Sequence, residues 1–273
     1  MTATTVRHPA VAGRFYPRNP DVLRRDLDIY LSQASSGKPV CALGCIVPHA
    51  GYMYSGHVAG AVFGELQIPE LCIVMCPNHT GMGRALAVMS EGAWETPLGD
   101  VPIDEAFAAD LKSRCPLLQE DSAAHRSEHA AEVELPFLQV RQGKLKIVPI
   151  ALGTRDLEVL EQLGDALADA IAAHSEPVLI IASSDMNHYE SDAITRVKDQ
   201  SAIDPILRLD ARALYEVVTR QNVSMCGFGP AVAMLTAAKK LGATSAQLVK
   251  YATSGDVSGD RDLVVGYAGI AIF

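Results

Sequence analysis

Three histidines follow apolar, strand-like runs at the points where those runs end. His49 follows the run CALGCIVP, His79 follows LCIVMCP, and His188 follows VLIIASS together with Asp185. Ligands of open α/β sheets bind beyond the carboxyl ends of the strands, so parallel neighbouring strands would bring these groups to one edge. Neutral imidazole is a common ligand of iron, copper and zinc. The spacing therefore predicts a metal site with open positions for a substrate or O2.

The anionic ligand of such a site is open between a carboxylate and a thiolate. Asp185 is one choice, and the segment SEHAAEVELP offers Glu132 and Glu134. Cys226, in SMCGFGP, lies at the start of a predicted helix. A helix N-terminus lowers the pKa of a thiol and favours the thiolate, which suits metal binding or nucleophilic chemistry.

Four other cysteines fall within apolar runs. A period of two puts Cys41 with Cys45, and Cys72 with Cys76, on one buried face of a strand, so we expect all four to be core residues. Six cysteines in 273 residues, with no CxxC pair, are too few for a disulfide scaffold. The cysteine content therefore favours a reducing, cytoplasmic location.

Strand-like and helix-like segments alternate along the chain and would position these groups. Buried strands are predicted over 40–47, 71–75, 145–151 and 178–183. Helices are predicted from Asn19-Pro20 onward and over 56–66, 157–173 and 230–241. Two further strands, 247–252 and 263–273, follow each other without a helix and indicate an antiparallel part. We expect an α/β fold whose central sheet is mostly parallel and flanked by helices on both faces.

Composition limits the class of protein. A chain of 273 residues predicts a single domain over 1–273, and domains of this size often form homodimers. Lysine and arginine number 23 against 32 aspartates and glutamates, a net charge of −9, which argues against nucleic-acid binding. No apolar run approaches the ~18–20 residues that span a bilayer, and no signal-like apolar segment begins the chain. GxGxxG and Walker A motifs are absent, so nucleotide binding has no motif support.

Six motifs in fixed order carry a family resemblance: HPAVAGRFYP, VPHAGYMYSG, PNHTG, EHAAEVELPFL, SSDMNHY and CGFGP. With them the chain resembles the Memo family, whose prokaryotic members are called AmmeMemoRadiSam system protein B. The resemblance extends from His8 to the closing VVGYAGIAIF. It implies a fold similar to that of the class III extradiol dioxygenases, which are non-haem iron enzymes that cleave catechol rings.

The resemblance also implies a role for individual residues. His49 and His79 match the two histidine ligands of the metal, and Cys226 matches the family cysteine that replaces the dioxygenase carboxylate. His188 matches the catalytic histidine, with Asp185 beside it in the pocket. Animal members are linked to cell-motility signalling and to copper or iron binding. Prokaryotic relatives are associated with radical-SAM and AMMECR-type partners.

Three functions are consistent with these residues. The first is an iron-dependent, dioxygenase-like redox protein that acts on a small, aromatic substrate, in which His188 and Asp185 transfer or orient a proton. The second is a non-catalytic module that binds metal or a peptide and acts through protein partners. The third is a zinc hydrolase, because two histidines, a cysteine and one open position form a catalytic zinc arrangement. Three tyrosines are candidates for lining the pocket: Tyr16, Tyr52 and Tyr54.

Overall fold

Strands and helices alternate along most of the chain, and the computed structural model describes residues 5–34 and 37–273. The strands are β1 Val6–Arg7, β2 Gly44–Val47, β3 Leu71–Pro77, β4 Leu86–Val88, β5 Ala93–Thr96, β6 Gly99–Pro102, β7 Gln119–Glu120, β8 Lys146–Leu152, β9 Val178–Ser183, β10 His188–Glu190, β11 Ala246–Thr253 and β12 Val264–Ile272. The helices are α1 Pro20–Leu31, α2 Tyr52–Glu65, α3 Glu105–Arg114, α4 Leu135–Arg141, α5 Leu157–Ala173, α6 Asp192–Leu207, α7 Ala211–Arg220, α8 Phe228–Lys240 and α9 Ser254–Ser258, with a 3-10 turn at Glu132–Glu134.

The central strands of the main sheet run parallel, and the strand on each side of this central group is antiparallel to it. Its strand order is β10-β12-β2-β9-β3-β8-β4-β7, with β11 paired to β12. The four central strands β2, β9, β3 and β8 run parallel, whereas β12 is antiparallel to β2 and β4 is antiparallel to β8. A smaller sheet has the order β1-β5-β6. The predicted α/β architecture with an antiparallel part is confirmed.

Helices cover both faces of the main sheet, because its central strands are apolar on both sides. Ile73 and Met75 of β3 belong to one core cluster, together with residues of α5 and α8. Cys72 and Val74, which alternate with them, belong to a second cluster that contains residues of α1, α2 and α4. Among the helices of residues 5–34 and 37–273, none combines the length and the apolarity that crossing a membrane requires.

The predicted elements agree with the structure most closely where apolar runs are continuous. The helix predicted over 157–173 and the strand predicted over 178–183 have the observed bounds, and α1 begins at Pro20 after an Asn19 cap. The prediction for Cys41 was wrong, since this residue is exposed. Strand β2 begins only at Gly44, so the period-two pattern does not extend back to residue 41. Cys45, Cys72 and Cys76 are buried, as predicted.

Candidate metal centre

The carboxyl ends of three adjacent parallel strands meet at one edge of the sheet. Strands β2, β9 and β3 are neighbours, and they are followed by His49, Asp185 and His79 respectively. A cavity of about 570 Å³ opens at this edge. Its polar lining includes five residues that the sequence singled out as ligands or proton carriers, namely His49, His79, Asp185, His188 and Cys226. The strand-end pattern therefore predicted where these side chains gather.

His129 also lines this cavity and has no role predicted from the sequence. One potential ligand atom from each of His49, His79 and His129 lies within 4.8 Å of the other two. The centroid of the His129 ring lies 4.9 Å from that of the His79 ring and 5.5 Å from that of the His49 ring. His129 lies in the loop before the 3-10 turn, so a rule based on strand ends does not find it. The only signal was its place in EHAAEVELPFL, where one histidine stands among three glutamates.

Glu128 fixes the position of His79 through two hydrogen bonds. Its carboxylate accepts hydrogen bonds from Nδ1 of His79 at 2.9 Å and from the backbone N–H of the same residue at 2.6 Å. Two further backbone N–H groups donate to it, from His129 at 2.9 Å and Ala130 at 3.0 Å. Burial raises the pKa of Glu128, but these donors outweigh burial and the pKa is lowered. Burial lowers the pKa of His79, but Glu128 outweighs burial and the pKa is raised.

His49 is held by a different kind of partner. Its Nδ1 lies 2.8 Å from Oγ of Ser183, which is 2.7 Å from the carbonyl oxygen of Ala130 and 2.9 Å from Oε1 of Glu134. Burial raises the pKa of Glu134 well above its usual range, and its Oε2 has no hydrogen-bond partner among the described residues. A hydroxyl has one hydrogen and two acceptor sites. All three contacts of the Ser183 hydroxyl are hydrogen bonds when the protonated Glu134 carboxyl and the Nδ1–H of His49 donate to it, and it donates to the carbonyl oxygen of Ala130.

The two arrangements leave Nε2 of His49 and Nε2 of His79 without a proton when the rings are neutral. A histidine that binds a metal generally donates its other ring N–H to a carboxylate, carbonyl or similar acceptor, which orients the ring. Burial, together with the neighbouring imidazoles of His79, His129 and His188, lowers the pKa of His49 well below its usual value. His49 is therefore neutral near pH 7, which is the form that binds metals.

His188 and Asp185 face the same cavity and titrate in different ways. Nδ1 of His188 donates to the carbonyl oxygen of Ser224 at 2.9 Å, and burial lowers the pKa of this histidine. Burial raises the pKa of Asp185 to about 7, although its carboxylate accepts the backbone N–H of His49 at 2.8 Å. A carboxyl group with a pKa near neutrality can both give and take a proton at physiological pH.

Cys226 reaches the cavity from the loop before α8. Its Sγ lies 3.3 Å from Nε2 of His49 and 3.6 Å from the carbonyl oxygen of Asp185. The next residue is glycine because a Cβ at Gly227 would lie 2.3 Å from the carbonyl oxygen of Ser183. The position of Cys226 at the start of a helix predicts a thiolate. Burial, reinforced by the charge of Asp185, instead raises the pKa of the Cys226 thiol, so without a metal it is protonated.

The tyrosines that were candidates for the pocket do not line it. The hydroxyl of Tyr16 donates to Glu132, and that of Tyr52 donates to the carbonyl oxygen of Val133, so both rings point into the core around α4. Tyr54 packs against a small cluster formed by Val58 of α2, Ala252 of β11 and Tyr267 of β12. The aromatic residues that do line the cavity are Phe15, Tyr189 and Tyr267.

Neither glutamate that was considered as an anionic ligand lines the cavity. Glu132 forms a buried ion pair with Arg7 and accepts the backbone N–H groups of Ala10 and Val11. Its oxygens are fully used in fastening the N-terminal segment. Glu134 lies behind His49, on the far side of Ser183, as described above.

Comparison with known proteins identifies relatives over the whole length of the chain. A family model described as Memo-like protein matches residues 7–271. A MEMO1 family protein of Methanopyrus kandleri is 43% identical over 277 residues, which cover 97% of this chain and 98% of that protein. Similar proteins of Methanothermobacter thermautotrophicus and Methanosarcina barkeri are 41% and 43% identical, with coverage of 96% and 98% of this chain and 99% and 100% of their own lengths. The chain therefore belongs to the Memo family.

Proposed function

We propose that this Memo family protein binds a divalent transition metal, iron(II) in the first place, on His49, His79 and His129, and uses it in redox chemistry on a small aromatic substrate. The observation that carries the proposal is the approach of three imidazole ligand atoms to within 4.8 Å of one another. The donor set fits such a metal, because imidazole nitrogen suits iron, copper and zinc. The partners of Nδ1 in His49 and His79 add the outer contacts that metal-binding histidines generally have.

Iron(II) in this position would keep coordination sites open and would supply one-electron chemistry with O2. The protein's own residues would do the rest. The aromatic rings of Phe15, Tyr189 and Tyr267 give the cavity an apolar wall for a flat substrate. Asp185, whose pKa is about 7, would hold or accept a substrate proton, and Nε2 of His188, which lines the same cavity, would do the same.

Cys226 remains in the proposal as an additional ligand. Its sulfur lies 3.3 Å from Nε2 of His49, the atom that would bind the metal. A coordinating thiol is deprotonated outright, so the raised pKa of the metal-free thiol does not argue against ligation. Ligation by Cys226 would instead make metal uptake release a proton.

Metal binding by single variants distinguishes a ligand set of His49, His79 and His129 from one in which Cys226 takes the place of His129. Wild-type protein is loaded anaerobically with iron(II), and bound metal is measured after gel filtration for His49→Ala, His129→Ala and Cys226→Ser. We expect near-stoichiometric iron in the wild type and loss in His49→Ala and His129→Ala. Retention in His129→Ala together with loss in Cys226→Ser would replace His129 by Cys226 in the ligand set. Equal metal content in all four proteins would refute the metal site altogether.

Oxygen consumption tests the chemistry. The iron-loaded protein is screened with catechols and related aromatic compounds in an oxygen electrode, with His188→Gln as the matched variant. We expect turnover in the wild type and a loss of at least tenfold in His188→Gln, at unchanged metal content. Metal binding without any turnover would instead support the non-catalytic module.

A zinc hydrolase is the second candidate, and the observation that favours it is the approach of three imidazole ligand atoms to within 4.8 Å of one another. Three histidines with one open position form a catalytic zinc arrangement. Ester hydrolysis by the zinc-loaded protein under anaerobic conditions would support this candidate. Activity that requires both iron and O2 would support the first.

A further inference from the structure

A second cavity, of about 680 Å³, lies beside the candidate metal centre. Its lining comes from the N-terminal segment and from the loop that precedes Glu128. Arg14 and Ser127 line this second cavity, whereas Phe15 and His129 line the metal cavity. The rings of Phe15 and His129 meet edge to face at 4.8 Å and belong to the wall on the metal side. The two cavities are thus neighbours with different linings.

The charge of the second cavity is positive. Arg14 and Arg126 line it, and neither guanidinium has a hydrogen bond or ion pair with any other residue in the described ranges. Arg7 and His8 also line it, but each is paired with a glutamate, Glu132 and Glu95 respectively. No carboxylate belongs to the described lining. Two unpaired cations at one cavity are notable in a chain whose net charge is −9.

The remaining lining has a polar and an apolar part. Ser122 and Ser127 add hydroxyl groups to the same lining as the arginines. Val11 and Met89 are buried residues that form part of the apolar lining. A volume of this size is that of a site for a small organic molecule rather than for a single ion. The cavity therefore combines cationic and hydroxyl groups with an apolar surface.

We propose that this cavity binds a small organic anion, whose carboxylate or phosphate group contacts Arg14 and Arg126 and whose body packs against Val11 and Met89. Guanidinium groups present paired N–H donors that match the oxygens of carboxylates and phosphates. The serine hydroxyls of the same lining are further donors for the remaining oxygens. No residue of this cavity is a ligand in the proposed metal site, so anion binding does not require the metal.

Calorimetric titration at low ionic strength tests the proposal with three probes: benzoate, inorganic phosphate and the neutral benzamide. We expect saturable binding of benzoate, of phosphate or of both, and at least tenfold weaker binding of benzamide. The two anions distinguish a carboxylate site from a phosphate site. Absence of binding by both anions, or equal affinity for benzoate and benzamide, would overturn the proposal.

A charge-matched pair of variants locates the site. The double variant Arg14→Gln/Arg126→Gln should lower the affinity at least tenfold. The double variant Arg24→Gln/Arg25→Gln removes the same charge from the exposed surface of α1 and should change the affinity less than twofold. Both pairs are exposed, and circular dichroism checks that both variants fold. Equal losses in the two variants would show that only net charge matters and would refute the site.

Discussion

The segment 128–134 has a buried carboxyl group at each end. Glu128 contacts His79 directly, and Glu134 is linked to His49 through the hydroxyl of Ser183, yet the two carboxyl groups differ in charge. Glu128 and Glu134 are both completely buried. Glu128 receives three backbone N–H groups and the ring N–H of His79, and its pKa is lowered. Glu134 has one hydrogen-bond partner in the described part of the chain, Ser183, and its pKa is raised well above the usual range. The same residue type is therefore an anion at one end and a neutral acid at the other.

The difference shows that the supply of donors decides the charge of a buried carboxyl group. Burial disfavours the charged form at both ends, and only converging N–H groups compensate for it. The consequence reaches the imidazoles. His79 is in contact with an anion, which makes its ring more basic, whereas His49 is in contact with a hydroxyl that is itself held by a neutral acid. The two proposed ligands therefore differ in basicity.

Removing the charged end should have the largest effect. Glu128→Ala leaves the donors of His79, His129 and Ala130 without their acceptor, and breaking a buried charged pair costs about 3–5 kcal/mol of unfolding free energy. Metal affinity should fall about 10- to 100-fold, since outer partners of metal-binding histidines contribute this much. Urea unfolding and metal titration measure the two effects.

Glu95→Ala is the control for that prediction. Glu95 pairs with His8 at the surface, where ion pairs contribute about 0–1 kcal/mol. A Glu128→Ala protein that is no less stable than Glu95→Ala would contradict the assignment of Glu128 as a buried, fully bonded anion.

The neutral end should show the opposite sign in its pH dependence. Because the pKa of Glu134 is raised on folding, the folded state keeps a proton that the unfolded state releases. The resulting cost is absent below the unfolded pKa of about 4.5 and grows as the pH rises, by at most about 1.4 kcal/mol per pH unit. Glu134→Gln removes the cost and keeps a neutral donor. The variant should match the wild type at pH 4 and exceed its unfolding free energy at pH 7.

Urea unfolding at pH 4, 5.5 and 7 checks this trend, with Glu128→Gln as the matched variant. The lowered pKa of Glu128 contributes stability above its unfolded pKa that is lost as the pH falls through the folded value. The deficit of Glu128→Gln should therefore shrink toward low pH. A Glu134→Gln protein that becomes less stable than the wild type as the pH rises would show that Glu134 is charged.

Cutting the link between Glu134 and His49 should have an intermediate effect. Ser183→Ala leaves the acid of Glu134, the Nδ1–H of His49 and the carbonyl of Ala130 without a partner, which costs about 1–3 kcal/mol. Metal affinity should fall about tenfold because the ring of His49 loses its orientation. The control is Ser90→Ala, a buried serine whose hydroxyl bonds to Glu120 and Lys112 and to no residue that lines the metal cavity. Equal metal affinity in the two variants would contradict the role of Ser183 in orienting the ring of His49.

Much of the fold could be predicted from the sequence, and so could the location of the candidate site. Continuous apolar runs fix β3 and β9, and a polar residue directly after such a run lies at the edge of the sheet where ligands bind. Hence His49, His79 and Asp185 could be placed together before any coordinates. His129 could not, because it lies in a loop whose path depends on packing against Phe15 rather than on a local pattern.

The charges within the site were also beyond the sequence. Nothing in the run EHAAEVE distinguishes Glu128 from Glu134, because the distinction comes from the N–H of His79, 49 residues away, and from the hydroxyl of Ser183. The same holds for Cys226, whose position before a helix suggested a thiolate while its burial against Asp185 raises its pKa. The apolar pattern of the sequence predicts the strands and helices and where they end, whereas the protonation of these side chains is determined by tertiary contacts.

The smallest expected effect concerns Glu132, the carboxylate between the two ends. It pairs with Arg7 and accepts the hydroxyl of Tyr16 at 2.7 Å, and none of its hydrogen bonds among the described residues goes to a histidine of the centre. Tyr16→Phe removes one of several donors, so we expect a loss of about 1–2 kcal/mol in unfolding free energy. Metal affinity should change less than twofold. A tenfold loss of metal affinity would mean that the whole segment orients the imidazoles, and the contrast between its two ends would then be one of degree.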